Sequence, residues 1–100
     1  MPANDECQQK YLDAKGALDK LAKSKSATAE QRQTARQARD RLTDEFIEQN
    51  IIAVEARTAQ FQLFITVMEE TSSALGKNSV LPGMKDLAKI VTEAKALIGG

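Results

Sequence analysis

The sequence predicts an all-α protein, an antiparallel helical bundle forming a single domain over residues 1–100. Three observations support this fold class. The composition is poor in aromatic residues and rich in Ala, Gln, Lys and Glu, which all favour helix. Apolar residues recur at spacings of three and four along most of the chain. Only 2 prolines and 5 glycines are present, which argues against a loop-rich fold.

The first helix is predicted over residues 5–25. Asn4 or Asp5 can cap its start, because a short polar side chain accepts a hydrogen bond from a backbone N–H of the first turn. Its apolar stripe follows spacings of four and three and consists of Cys7, Tyr11, Ala14, Leu18 and Leu21. Gly16 lies inside the helix, where it costs about 1 kcal/mol relative to alanine. It indicates close helix packing or a tolerated position.

The second helix is predicted over residues 28–75. Thr28 and Gln31 match the capping box, in which two residues satisfy each other's backbone N–H groups at a helix start. No proline or glycine follows until Gly76, and a straight helix of this length would span roughly 70 Å. Two geometries are therefore open. Either this segment is one continuous rod, or it breaks near Asn50 and the bundle has four helices.

The third helix is predicted over residues 82–98. Gly76 suits the residue just beyond the end of the second helix, since glycine readily adopts the left-handed conformation found there. Pro82 can occupy the first turn of a helix, where its missing N–H is not needed. The sequence-level expectation is thus three helices, completed by dimerisation.

Dimerisation is expected because residues 46–68 carry apolar side chains on two neighbouring helix faces, whereas a surface helix needs one stripe. The charged residues in 51–75 are only Glu55, Arg57, Glu69 and Glu70. The short flanking helices can cover one face. Leaving four or five more such side chains in water would forgo on the order of 8–12 kcal/mol, comparable to the stability of a small domain.

The uncovered face therefore predicts an interface. A continuous rod requires a second chain, most simply a two-fold homodimer, or a helix of another protein. A break near Asn50 lets the two halves fold together as a monomeric four-helix bundle. The predicted interface residues are Ile47, Ile51, Ile52, Val54, Phe61, Phe64, Ile65 and Met68. Glu55 and Arg57 are candidates for a polar pair that sets the register, as in coiled coils, or for residues that flank the interface.

Catalytic, metal and cofactor sites are not predicted. The chain has no histidine, which removes the commonest acid–base residue and metal ligand. Cys7 is the only cysteine, so no internal disulfide can form, and it is interpreted as a small apolar core residue. No glycine-rich phosphate loop occurs. We expect neither an enzyme nor a protein with a small-molecule substrate.

The charge pattern and the chain start suggest where the protein acts. A formal net charge of zero argues against nucleic acid or an anionic membrane as the partner. Arg32, Arg36 and Arg39 share a helix face and could contact phosphates, but acidic neighbours oppose this. No uncharged run is long enough to span a bilayer, and the first residues do not resemble a signal peptide. A cytoplasmic location is expected, and export without a cleavable signal stays open.

The leading functional interpretation is a non-catalytic module for protein–protein interaction or self-assembly, in a small protein of bacterial type. One alternative is a regulatory helical dimer that binds nucleic acid through Arg32, Arg36 and Arg39. Another is an accessory or structural subunit of a secretion or phage-type assembly, which rests on analogy of composition alone.

Overall fold

The computed structural model describes residues 4–43, 54–76 and 81–99. Within these ranges the chain forms four helices and no strand, which confirms the all-α class. The helices are α1 (Asn4–Ala22), α2 (Ala29–Leu42), α3 (Val54–Leu75) and α4 (Met84–Gly99). None of the helices in the described ranges combines the length and apolar character needed to cross a bilayer.

The predicted rod over residues 28–75 is wrong, and the described part of the chain has four helices where three were expected. The side-chain nitrogen of Gln31, near the start of α2, donates to the carbonyl of Leu75, at the end of α3, at 3.2 Å. In one straight helix these two residues would lie about 66 Å apart, beyond the 40 Å long axis of the molecule. The chain therefore folds back, as the alternative with a break expects. Asn50 itself lies outside the described residues.

The first helix ends earlier than its predicted range of 5–25. The N–H of Lys23 still reaches the Asp19 carbonyl at 3.1 Å, whereas the N–H of Ser24 reaches the Leu21 carbonyl at 3.2 Å. The change from i→i−4 to i→i−3 bonding tightens the last turn and ends the helix.

The predicted start of α2 and the predicted end of α3 are confirmed. The N–H of Gln31 donates to Thr28 Oγ1 at 3.0 Å, and the N–H of Thr28 donates back to Gln31 Oε1 at 2.9 Å. This is the reciprocal capping box. Gly76 follows α3 with a φ of 86°, the left-handed conformation that commonly terminates a helix.

The turn before α4 corrects the role predicted for Pro82. The N–H of Met84 donates to the Leu81 carbonyl at 3.2 Å, and Gly83 has a φ of 98°. Proline followed by a residue of positive φ is the pattern of a type II turn. The N–H of Leu87 then donates to the Gly83 carbonyl at 3.0 Å. Pro82 thus belongs to the turn, and α4 begins two residues later.

The four helices form an up-down-up-down bundle, in which each helix packs against its chain neighbours and α1 also packs against α4. Polar contacts between neighbouring helices, one of them to a main-chain carbonyl, accompany the antiparallel order. These contacts are Asp19–Arg39, Gln31–Leu75, Glu69–Lys95, Lys10–Glu93 and Lys20–Asp86. Short connections make this the natural topology for such a chain.

The core lies along the bundle axis and takes apolar side chains from every helix. Its largest members, all essentially without solvent exposure, are Phe61, Phe64, Leu18, Leu21, Leu42, Met68, Leu75 and Leu87. α2 contributes mainly alanines, Ala35 and Ala38. Small residues on α2 let it approach its neighbours closely, which leaves room at the centre for the aromatic rings.

Gly16 does not mediate close packing, because a Cβ built on it meets no atom within 4 Å. We therefore expect Gly16→Ala to raise the free energy of unfolding by about 1 kcal/mol, since it removes the helix-propensity cost of glycine without a clash. Denaturant unfolding at low protein concentration, where association does not contribute, would measure the change. A variant that is less stable than the wild type would contradict this assignment.

Candidate functional site

Four of the residues predicted to form an interface lie in the interior of the bundle. Phe61, Phe64, Ile65 and Met68 are all buried against helices of the same chain. Tyr11 of α1 meets the two phenylalanines edge-on, with ring centroids 5.8 Å from Phe61 and 4.6 Å from Phe64. The two phenylalanine rings stack with centroids 5.3 Å apart. These side chains fill the core, so a partner cannot reach them while the bundle is closed.

The physical reason for this correction is the reversal between α2 and α3. An outside surface was predicted because the rod geometry left one face of residues 46–68 bare. Once the chain folds back, helices of the same chain cover the described apolar side chains Phe61, Phe64, Ile65 and Met68. The role predicted for Phe61, Phe64, Ile65 and Met68 therefore changes from interface to core.

The remaining interface predictions are not placed by the structure. Ile47, Ile51 and Ile52 lie outside the described residues. Val54, Glu55 and Arg57 belong to the first turns of α3, but their side chains lie outside what the structure describes, as does that of Cys7 in α1. Their predicted roles stay predictions.

Two large apolar side chains that were not among the predicted interface residues are exposed. Leu63 on α3 is 44% exposed and Leu12 on α1 is 46% exposed. Leu12 directly follows the buried Tyr11, and Leu63 directly precedes the buried Phe64. Adjacent residues of a helix point about 100° apart, so each leucine lies on a different face from its aromatic neighbour. Periodicity could have identified Leu63, because it falls between the buried positions of α3 once one core stripe is accepted.

By helix geometry Leu63 lies one turn before Val67, on the same stripe of α3 as Val67, Glu70 and Ala74, which line a cleft with α2. There the two helices enclose an open cleft of about 210 Å³, and its walls are mostly small side chains. The lining residues are Thr34, Gln37, Ala38, Arg41, Val67, Glu70, Thr71 and Ala74. A cleft with a small-residue floor and an exposed leucine one helical turn away can receive the side chains of another helix.

A second cleft of about 290 Å³ lies between α1 and α4. Gly16 and Ala17 are on its α1 wall, and ion pairs cross it at two levels. Lys10 Nζ lies 2.9 Å from Glu93 Oε1, and Lys20 Nζ lies 3.3 Å from Asp86 Oδ2. A Cβ at Gly16 would point into open space, with no atom within 4 Å.

The arginine face is largely occupied by contacts within the chain. Arg32 donates to the Ala27 carbonyl at 2.6 Å. Arg39 Nη1 donates to Asp19 Oδ1 at 2.6 Å, bridging α2 and α1. Only Arg36 is exposed, with a hydrogen bond to Gln33 at 3.0 Å. All three predicted phosphate-contacting side chains thus have polar partners within the chain, and Arg32 and Arg39 are only partly exposed.

The Asp19–Arg39 pair also has a pH signature. The hydrogen bond from Arg39 lowers the pKa of Asp19 below its ordinary value of 3.8, partly opposed by burial. A carboxylate with a lower pKa in the folded state stabilises the fold above its unfolded pKa. This contribution of the ion pair to stability is lost as the pH falls through the pKa of Asp19 in the folded state. It is modest, because the pair is largely solvated.

We therefore expect Asp19→Asn to lower the free energy of unfolding near neutral pH, and the deficit to disappear as the pH falls below about 3.8. Denaturant unfolding at a series of pH values would measure it. Arg39→Gln should show the same trend, and the double variant should lose little more than either single variant. A deficit that stays constant down to the lowest pH would contradict the role of this ion pair.

The polar chemistry of the interior is sparse. Ser24 and Thr71 are the buried polar residues among those described, and Thr71 Oγ1 donates to the Val67 carbonyl at 2.7 Å. No buried side-chain nitrogen or oxygen in the described ranges lacks a partner, and no three potential ligands there converge to hold a metal.

No protein-family model, curated protein or solved structure matches this chain. The clefts and the exposed leucines are therefore the features of the described residues that bear on function.

Proposed function

We propose that this protein is a non-catalytic helical bundle that works by associating with other helical proteins. The observation that carries the proposal is Leu63, a half-exposed leucine one helical turn before Val67 of the α2–α3 cleft. An amphipathic helix laid along the cleft would cover it, the helix-in-groove mode of recognition.

The cleft has features that would orient such a helix. Arg41 on the α2 wall and Glu70 on the α3 wall carry opposite charges. A partner helix with an apolar residue over Leu63 and a basic residue toward Glu70 would match the cleft. Covering the exposed part of one leucine contributes about 1 kcal/mol, so the partner must gain the rest of its affinity along the small-residue floor.

The other interpretations have less support. Binding of nucleic acid through Arg32, Arg36 and Arg39 would require Arg32 and Arg39 to leave the contacts they make within the chain. Membership of a secretion or phage-type assembly is one form of the proposed association, and no contact in the described residues favours it specifically.

Leu63→Lys tests the proposal. The immobilised wild-type chain should capture a partner from extract of the source cell, and the variant should lose that partner. Gln62→Lys is the matched control, because Gln62 is also exposed on α3 but lies about 100° away around the helix. A synthetic helix from the captured protein should then bind the wild-type chain and Gln62→Lys alike. Capture of the same proteins by the wild-type chain and by Leu63→Lys would contradict the proposal.

A further inference from the structure

The outward face of α1 has a charge pattern that is complementary to itself. Its N-terminal half carries Glu6, which is exposed, and Asp13, whose side chain is 40% exposed, whereas Lys20 and Lys23 are exposed near its C-terminal end. The N-terminal half of this face is thus acidic and the C-terminal end basic. Two copies laid antiparallel would place opposite charges together.

Gly16 lies at the middle of this face. It is exposed, and a Cβ at this position would meet nothing within the molecule. The fold itself therefore does not require glycine here, although glycine weakens the helix by about 1 kcal/mol relative to alanine. A glycine at the centre of an exposed helix face lets a second backbone approach closely.

Helix geometry identifies which side chains would meet. At 100° per residue, Asp13 and Lys20 lie about 60° and about 40° to the same side of Gly16, three residues before it and four after it. A two-fold axis that crosses α1 at Gly16 keeps each residue on its side and reverses the chain direction. Asp13 of one copy then lies beside Lys20 of the other, and the contact occurs twice.

Leu12 lies on the opposite side of Gly16 and points toward the same interface. It is 46% exposed, and the two-fold operation places it beside the region of Asp19 and Lys23 in the second copy. The aliphatic part of a lysine side chain can cover a leucine while its ammonium group stays in water. The exposed apolar residue of α1 thus gains cover from the same arrangement.

We propose that a second copy of this chain packs antiparallel against α1, with Gly16 at the crossing point and two Asp13–Lys20 ion pairs across the interface. The inference rests on the proposed function, association between helices, and names a partner and a surface distinct from the Leu63 cleft. α1 is only about 28 Å long, so the buried area is small. The dimer is of low affinity, and it weakens as salt screens the ion pairs.

The intrachain neighbours of these charges stay compatible with the arrangement. Lys20 lies 3.3 Å from Asp86, and both side chains remain more than half exposed. Asp13 lies 4.0 Å from Lys10 and accepts a hydrogen bond from Gln9 at 2.9 Å. An ammonium group has three donors and a carboxylate has several acceptor positions, so each can serve one partner in each copy.

A charge-reversal pair tests the arrangement. Asp13→Lys alone places lysine opposite lysine at both contacts, and Lys20→Glu alone places carboxylate opposite carboxylate. Each single variant should weaken the wild-type dimer by about tenfold or more, because like charges face each other twice. Mixed in equal amounts, the two variants should form a heterodimer in which both contacts are again attractive. Native mass spectrometry and sedimentation equilibrium would show it.

Three results would each overturn the proposal. The first is a wild-type chain that keeps the monomer mass of 10.9 kDa up to about 500 µM. The others are single variants that dimerise like the wild type and a mixture of the two variants that stays monomeric. Thermal unfolding of each variant shows whether it is folded. Leu63→Lys should leave this dimer intact, so failure here and failure at the Leu63 cleft are distinguishable.

Gly16→Leu tests whether the two α1 helices approach each other closely at Gly16. A Cβ at Gly16 meets nothing within 4 Å and an open cleft of about 290 Å³ adjoins it, so we expect the bundle to stay folded, whereas the leucine side chain should hold the two α1 helices apart and abolish the dimer. Ala88→Leu adds the same side chain at an exposed position of α4 and should leave the dimer unchanged. Equal or tighter dimerisation of Gly16→Leu would overturn the crossing point at Gly16.

Discussion

Replacing Phe64 with alanine is expected to lower the free energy of unfolding by about 3–5 kcal/mol. Phe64 has no solvent exposure, and its ring lies 4.6 Å from that of Tyr11 and 5.3 Å from that of Phe61, centroid to centroid. Truncation opens a cavity at the point where α1 and α3 approach each other, and it also removes two aromatic contacts, each worth about 0.5–1.5 kcal/mol.

This loss is a large fraction of the stability of a small domain, about 5–15 kcal/mol. Denaturant unfolding followed by circular dichroism would measure it. Leu63→Ala is the matched control, because Leu63 is the preceding residue of the same helix and is 44% exposed. We expect its cost to stay below about 1 kcal/mol. Similar losses for the two variants would contradict the orientation of α3 in the bundle.

Gly83→Ala is expected to lower the free energy of unfolding by about 2–4 kcal/mol. The φ of 98° at Gly83 lies in a region that side chains disfavour. A Cβ there would lie 3.0 Å from the Ala17 carbonyl oxygen and 3.1 Å from Leu21 Cγ. The backbone oxygen of a helix cannot easily move, so the turn before α4 must shift away from α1.

Gly16→Ala is expected to raise the free energy of unfolding, whereas Gly83→Ala is expected to lower it. The two substitutions together therefore test the turn at Gly83. Gly76→Ala separates the two causes, because Gly76 also has a positive φ, 86°, and is exposed. Unfolding experiments on the three variants should rank Gly83→Ala as the least stable. A neutral effect at Gly83 would contradict both the positive φ and the close contact with α1.

Local signals along the chain predicted the helix ends well. The Thr28–Gln31 capping box and the Gly76 terminus are confirmed, because both depend on side chains within a few residues. The third prediction of this kind, Pro82 in the first helical turn, is wrong. Proline fits a helix start and a type II turn equally well, and the choice depended on Gly83, whose positive φ permits close packing on α1.

The candidate surfaces depended on the tertiary structure. The spacing of apolar residues marks Phe61 and Phe64 as needing cover, but it does not say which chain provides it. Leu63 and Gly16 became candidates only when the burial of their neighbours was known. An exposed leucine and a leucine of the core have the same side chain, and their difference lies in the surrounding helices.

By itself, the sequence determined that this chain is helical, where two of its helix boundaries fall, and that its central apolar stretch must be buried. Propensity, capping and periodicity act over a few residues, so they can be read along the chain. Only the tertiary structure decided that the chain reverses between α2 and α3 and that Phe61, Phe64, Ile65 and Met68 of that stretch are covered within one chain. The free energy of burying an apolar side chain depends on the area covered and is the same whether the cover comes from the same molecule or another.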